Sequence, residues 1–284
     1  MDNRPIGVFD SGLGGLTAVR RLAALMPNEN IIYFGDTGRV PYGTRSRETI
    51  LRYAAQDVNF LRTFDLKAIV IACGTVSSIA LAQLAGQQQE PVFGVVAPTA
   101  LQAAKQTKNG KIGIIATPAT IRTGAYERII TSHNPAAQLF DQPCPLFVPL
   151  VENGRTRPGD IVIETVVAEY LSPLRQAGVD TLVLGCTHYP LLTDVIGQYM
   201  GPEVTLIDSG AAVADQLQDW LGQQNMRADP EQVGQYRWYV SDSVDSFHDL
   251  ASIFLGREVT EPVEQIAIPS SSTHHAVEPL MKLR

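Results

Sequence analysis

Residues 68–81, AIVIACGTVSSIAL, and residues 181–192, TLVLGCTHYPLL, make the same move: a short apolar run stops at a cysteine and a helical pattern follows. Such a run, bounded by turn formers, suits a strand buried on both faces, and buried parallel strands are joined by helical crossovers. The alternation extends outward in both directions. PIGVFD (5–10) precedes GLTAVRRLAALM, and NIIYFGD (30–36) precedes RETILRYAAQDVNFLRTF. After PVFGVV (91–96) a second series begins: KIGIIAT (111–117), a helix from about Ala119, PLFVPLVE (145–152) in the next strand slot, a helix over about 160–176, TLVLGC, a helix from Pro190, and EVTLID (203–208).

The two series echo each other. IGVFDSG (6–12) matches IGIIATP (112–118), and IVIACGT (69–75) matches LVLGCTH (182–188). A duplicated α/β unit explains this most simply, and the expected fold is two pseudosymmetric parallel-sheet α/β domains with the active site in the cleft between them. Open α/β sheets carry ligands beyond the carboxyl ends of their strands, so facing domains bring Cys73 and Cys186 to one cleft. The expected boundaries are 1–97 plus 208–267 for the first domain, 98–207 for the second, and a C-terminal tail over 268–284. The stretch from about Ala211, with VADQLQDWLG, QYRWYVSD and SFHDLASIFLG, reads as two helices and an edge strand of the first domain. His274 and His275 fall in the Ser/Thr-rich tail and read as solvated.

Composition narrows the function. The chain of 284 residues is 45% hydrophobic and 18% charged, an ordinary balance for a globular enzyme. Its net charge of −7 argues against a nucleic-acid partner, which calls for a basic field. No apolar run reaches the ~18 residues of a membrane helix, and the N-terminus lacks a signal-peptide pattern, so a cytoplasmic location is expected. Three cysteines without a C-x-x-C read as free thiols in a reducing compartment. Cys-x-His at 186–188 is too few ligands for zinc, and no metal is expected. Cys144, between two prolines, reads as packing.

Both Cys73 and Cys186 stand where a strand turns into a helix, a setting that lowers a thiol pKa from ~8.5. Thr75, Ser77 and Ser78 are candidate caps of the first helix, and Pro190 suits the opening turn of the second. His188 is placed to act as base or hydrogen-bond partner near Cys186. Two thiols on opposite walls of a cleft suit removal of a proton from one face of a carbon and its return to the other, which is racemisation. Such a site must exclude water and hold the substrate carboxylate with fixed donors. No lysine sits in a Schiff-base setting, so no cofactor is expected. The Gly-rich turn after PIGVFD invites a dinucleotide reading, with Asp36 as the ribose acid. However, Thr17 replaces the third glycine, and Asp10 puts a negative charge where a pyrophosphate would lie. Asp10 and Ser11 read better as pocket residues, and GRVPYGTRS (38–46) as a loop whose Tyr42 and Gly43 amides can grip a carboxylate.

IGVFDSGLGGLTAV, YFGDTGRVPYGTRS, IACGTVS, VPLVE and LVLGCTHYPLL, five motifs in order, together resemble the glutamate racemases, and YVSD and FLG fit too. The resemblance runs from Ile6 to about Ser209. It implies a cofactor-independent enzyme of two α/β domains that interconverts L- and D-glutamate in the bacterial cytoplasm, supplies peptidoglycan synthesis, and forms a homodimer. Carried over by motif, Cys73 deprotonates the D enantiomer and Cys186 the L enantiomer. Asp10 assists Cys73, and His188 with Glu152 assists Cys186. Ser11, Pro41, Tyr42, Gly43, Gly74, Thr75, Thr117, Thr120 and Thr187 bind substrate, along with Asp10 and His188. One departure stands out: the family pattern Cys-Asn-Thr is Cys73-Gly74-Thr75 here, and the expectation is that the Gly74 amide and water replace the lost side chain. A related amino-acid racemase, such as one for aspartate, stays open. So do a cofactor-free decarboxylase or isomerase of the same superfamily and an amino-acid-binding protein; two strand-end thiols speak against the one-thiol and binding-only versions.

Overall fold

A computed structural model describes residues 1–86 and 90–268 of the chain. The tail expected from 268, with His274 and His275, lies beyond Ile268 outside the described residues. Among the described residues, ten strands form two sheets, and every pairing is parallel. The first sheet contains β1 (Ile6–Asp10), β2 (Ile31–Gly35), β3 (Ala68–Ile71), β4 (Val92–Gly94), β9 (Tyr236–Val240) and β10 (Val263–Gln265), in the order β10-β9-β2-β1-β3-β4. The second contains β5 (Lys111–Ala116), β6 (Gln138–Pro143), β7 (Thr181–Leu184) and β8 (Thr205–Asp208), in the order β6-β5-β7-β8.

Stripped of β9 and β10, the two sheets have the same order: β2-β1-β3-β4 in one and β6-β5-β7-β8 in the other. The pseudosymmetry expected from the echoed motifs is therefore a property of the fold. It also fixes where ligands belong. In each sheet the chain reverses its winding direction between two neighbours, β1 and β3 or β5 and β7, and the crevice opens beyond their carboxyl ends. Cys73 follows β3 and Cys186 follows β7 at those crevices.

Burial explains the apolar runs. Ile6 and Val8 enter one helical layer while Phe9 enters the other, and in β2 Ile31 and Tyr33 oppose Ile32 and Phe34 in the same way. With both faces covered, no position on these strands is left for polar alternation. Helix ends follow their side chains: Ser46 accepts from the Thr49 amide, Asp160 from Val162, and Asp208 from Gly210 and Ala211.

Three local expectations change. PLFVPLVE is not a strand: Phe147–Glu152 is a helix, with Phe147 and Val151, one turn apart, both buried. The strand is the preceding QLFDQP, an edge strand with exposed positions, so it carries no continuous apolar run. The late segment contributes two strands, because β9 pairs with β2 and β10 covers β9 as the edge. Finally, Pro190 opens a short 3-10 turn, Tyr189–Leu192, before the helix Thr193–Met200. The helix Gly74–Ile79 has Cys73 at its cap with no side-chain cap bond, and Ser78 instead donates back to the Thr75 carbonyl.

At the end of the first sheet away from the cleft, Lys67 is buried in an ion pair with Glu29. Its ammonium also donates to the carbonyls of Asp2 (2.7 Å) and Met226 (2.9 Å), while Glu29 accepts from the Ala228 amide at 2.9 Å. This cluster ties the chain's start and its late segment to the sheet. Removing one partner leaves an uncompensated buried charge, so Lys67→Met is expected to lower the unfolding free energy by about 3–5 kcal/mol in urea titration. Lys67→Met combined with Glu29→Leu should recover part of that loss, and a single variant as stable as the parent would show that the pair is not held as described.

Candidate active site

The two crevices face each other and merge into one cavity of about 310 Å³. Its first wall comes from Ser11 and Gly12 after β1, from the loop Pro41-Tyr42-Gly43 after β2, and from Cys73-Gly74-Thr75 after β3. The opposite wall comes from Thr117 after β5, Glu152 on the helix Phe147–Glu152, and Gly185-Cys186-Thr187-His188 after β7. Both thiols thus border one space, although 113 positions of chain separate them. Among the described residues, no lysine or arginine lines it.

The walls touch through backbone. A methyl group added at Gly74 would sit 2.5 Å from the carbonyl oxygen of Gly185, the residue before the second cysteine. One added at Gly14 would run into the Thr187 hydroxyl and lie 2.5 Å from His188 Nδ1. At the Cβ position of Gly74 the facing wall, through the Gly185 carbonyl, already occupies the space. Two sets of hydroxyls complete the seam. Thr17 Oγ1 donates to the Thr187 carbonyl at 2.8 Å, and Thr75 Oγ1 meets Thr117 Oγ1 at 3.0 Å and Thr120 Oγ1 at 3.3 Å. Thr117 and Thr120 are themselves 3.0 Å apart, and Thr117 also caps its own helix.

The surroundings of the two thiols differ. Cys73 Sγ donates to Ser11 Oγ at 3.3 Å. Asp10 lies behind the wall rather than on it: it is 1% exposed, and its Oδ2 accepts from the Gly12 amide at 3.0 Å while Oδ1 has no partner. Burial, and then the nearby Asp10 charge, push the Cys73 thiol up to about 12. The lowering expected from the helix start does not prevail at Cys73, because that helix is short and the desolvation of a buried sulfur anion is larger. Asp10 is likewise raised, chiefly by burial, against the pull of His188 and of backbone amides.

Near Cys186 the pattern is different. His188 Nδ1 lies 4.0 Å from Cys186 Sγ and 3.5 Å from Thr187 Oγ1, while Nε2 is 3.0 Å from Glu152 Oε1. Burial disfavours the imidazolium, but Cys186 on one side and Glu152 on the other outweigh it and bring His188 up to about 10. The ring is braced by Phe254 of the helix Val244–Leu255, edge to face at 5.1 Å between ring centres.

Thr120 is buried behind Thr117, so it and Asp10 support the wall instead of forming it. Cys144 is fully buried, as a packing residue would be, yet it borders the cavity beside Pro145, Val148 and Pro149. These apolar residues and Phe254 are not distinguishable in the sequence from ordinary core. Asp36, weighed as a ribose acid, is fully buried and engaged by Arg39, Tyr42 and Ser241, so it is not available to a nucleotide.

The profile of the Asp/Glu/Hydantoin racemase family matches residues 15–217. A curated glutamate racemase of Desulforudis audaxviator is 43% identical over 269 residues, covering 93% of this chain and 97% of that protein. One from Neisseria meningitidis serogroup A is 46% identical over 268 residues, with the same coverage. The crystal structure of glutamate racemase from Francisella tularensis in complex with D-glutamate superposes with a TM-score of 0.87 at 39% identity, over 95% of this chain and all of that one. An aspartate racemase of Picrophilus torridus, at 14% identity and a TM-score of 0.57, shares the fold alone. With a doubled α/β fold, opposed strand-end thiols and relatives matched over nearly their whole length, the chain belongs to the Asp/Glu/Hydantoin racemase family and is an amino-acid racemase of its glutamate racemase branch.

Proposed function

We propose that this protein interconverts L- and D-glutamate by passing the Cα proton between Cys73 and Cys186. The observation that carries the reading is that two thiols from opposite lobes border one small cavity. In the D-to-L direction Cys73 removes the proton and Cys186 returns one to the other face; in the L-to-D direction the roles exchange. Among the described residues no lysine or arginine lines the cavity, so the substrate carboxylates are left to hydroxyls and amides, among them Ser11, Thr75, Thr117, Thr187 and the Tyr42 and Gly43 backbone, with His188 as the cationic side chain in the wall. Fixed dipoles of this kind stabilise the charge that develops as Cα is deprotonated, and need no reorganisation to do so.

The two thiols have unequal surroundings: burial and the Asp10 charge favour the protonated form of Cys73, while His188, held by Glu152, stands 4.0 Å from Cys186 Sγ. The same reading carries supply of D-glutamate to peptidoglycan, action in the cytoplasm and a homodimer as its physiological setting, on the strength of the family resemblance.

In D₂O, cofactor-free protein given L-glutamate is expected to release D-glutamate carrying deuterium at Cα, while recovered L-glutamate stays protiated early in the reaction. Deuterium appearing equally in both from the start would mean one base serving both faces. Cys73→Ser and Cys186→Ser should each lower racemisation by about 10²–10⁴-fold, the range for losing a positioned acid or base; a mild effect at either would sink the two-thiol mechanism.

His188 supplies a pH signature. Its folded-state pKa, near 10, lies above the ordinary 6.5, so the stability contributed by the imidazolium is complete below about 6.5 and is lost as pH rises through about 10. The His188 ring should remain protonated at pH 8 by ¹⁵N NMR and titrate at lower pH in Glu152→Gln. A neutral ring at pH 8 in the parent protein would contradict the assignment.

Gly74→Asn tests the seam. The facing Gly185 carbonyl has to move to admit the new side chain, and displacements of this order cost up to about 100-fold. The expected result is a drop in kcat in both directions with the fold intact by circular dichroism. An unchanged kcat would show that thiol spacing does not depend on this contact.

A further inference from the structure

The loop that presents Tyr42 and Gly43 to the cavity rests on a buried group of polar side chains that the mechanism above does not use. Asp36, at the end of β2, and Asp57, on the helix Arg47–Leu61, are both fully buried and lie on either side of the Tyr42 hydroxyl. Arg39 bridges them, with Nε 2.7 Å from Asp36 Oδ2 and Nη2 2.7 Å from Asp57 Oδ1. Arg39 also reaches Gln56 and lies over the Tyr53 ring, 4.2 Å from its centre. Ser241, after β9, donates to Asp36 Oδ1 at 2.7 Å and accepts from the Gly38 amide at 2.8 Å.

Counting protons exposes a conflict. The Tyr42 hydroxyl has one hydrogen, yet its oxygen is within hydrogen-bond reach of carboxylate oxygens on both Asp36 and Asp57, the latter at 3.0 Å. With both acids ionised, one carboxylate oxygen would face the phenol oxygen with no proton between them. Two buried carboxylates against one guanidinium would also leave a net negative charge away from water. A single added proton removes both problems. Asp36 already accepts from Arg39 and Ser241, so it suits the ionised role, whereas Asp57, apart from its contact with the Tyr42 hydroxyl, accepts from Arg39 alone among the hydrogen bonds described.

We propose that Asp57 is a neutral carboxylic acid in the folded protein, with its carbonyl accepting from Arg39 and its hydroxyl donating to Tyr42, which in turn donates to Asp36. This directed chain, Asp57 to Tyr42 to Asp36, makes Asp57 a positioning residue for the Pro41-Tyr42-Gly43 wall. The charged and titratable groups facing Asp57 are Asp36, Arg39 and Tyr42, with Asp10 farther off. Burial first, and then the Asp36 charge, push the Asp57 carboxyl well above the usual range against the pull of Arg39. The functional half of the inference rests on the glutamate reading; the protonation state does not.

The experiment has two arms. In protein labelled with ¹³C at aspartate side-chain carboxyls, the Asp57 resonance, assigned by its loss in Asp57→Asn, should have the shift of a protonated acid at pH 7. A shift typical of an ionised carboxylate overturns the proposal whatever the substrate is. In steady-state racemisation, Asp57→Asn retains both a carbonyl for Arg39 and a donor for Tyr42, so it should raise KM for glutamate far less than Asp57→Ala, for which about a tenfold rise with a smaller change in kcat is expected. Equal KM increases in Asn and Ala variants, both folded by circular dichroism, overturn the directed chain. Absence of glutamate turnover in the parent protein would instead count against the substrate reading and leave the carboxyl resonance to decide this one.

Discussion

The site depends on a contact between two backbones. Gly74, directly after one cysteine, lies against Gly185, directly before the other, and Gly14 lies against Thr187 and His188. Because no side chain intervenes between Gly74 and Gly185, the strand ends of the two sheets approach closely there, and the thiols next to them border the same small space. A reaction that needs an acid and a base on opposite faces of one carbon tolerates little slack in that spacing. The Thr17 bond to the Thr187 carbonyl and the hydroxyls of Thr75, Thr117 and Thr120 secure the same seam with directional bonds.

Charge is distributed unevenly around this seam. An imidazolium next to Cys186 and a buried acid behind Cys73 give two chemically similar sulfurs different surroundings. The pseudosymmetry of the sheets is not matched in the residues around them: His188 and Glu152 have no counterpart beside Cys73, where Ser11 makes the direct hydrogen bond. Reading Asp10 as the partner of Cys73 captured its proximity but not its depth. It is buried beneath the glycine-rich turn, and its charge pushes the Cys73 thiol up.

Much of this was legible from residue order. Strand runs that stop at Cys73 and Cys186, and the echo between the halves, pointed to the doubled sheet and the shared cleft, because strands buried on both faces must be continuously apolar. The loop at 41–43 and the threonines at 75, 117 and 187 followed from the motifs and do border the cavity. Less legible were QLFDQP, a half-exposed edge strand without an apolar run, and the helix Phe147–Glu152, whose proline and apolar residues mimic a strand. Phe254, Val148 and Pro149 carried no signal, since an apolar residue beside the site looks in sequence like one in the core.

By itself the sequence determined the local grammar of the buried strands: the continuously apolar runs, where each of them ends, and that a thiol stands just past two of those ends. Those are consequences of side-chain periodicity and turn chemistry, which act over a few residues. Only the tertiary structure decided that Gly74 meets Gly185, that Phe254 braces His188, and that Asp36, Arg39, Tyr42 and Asp57 share one buried site. These pairings join residues far apart in the chain, or on separate elements, and their energies come from burial and from distances that no spacing in the sequence encodes.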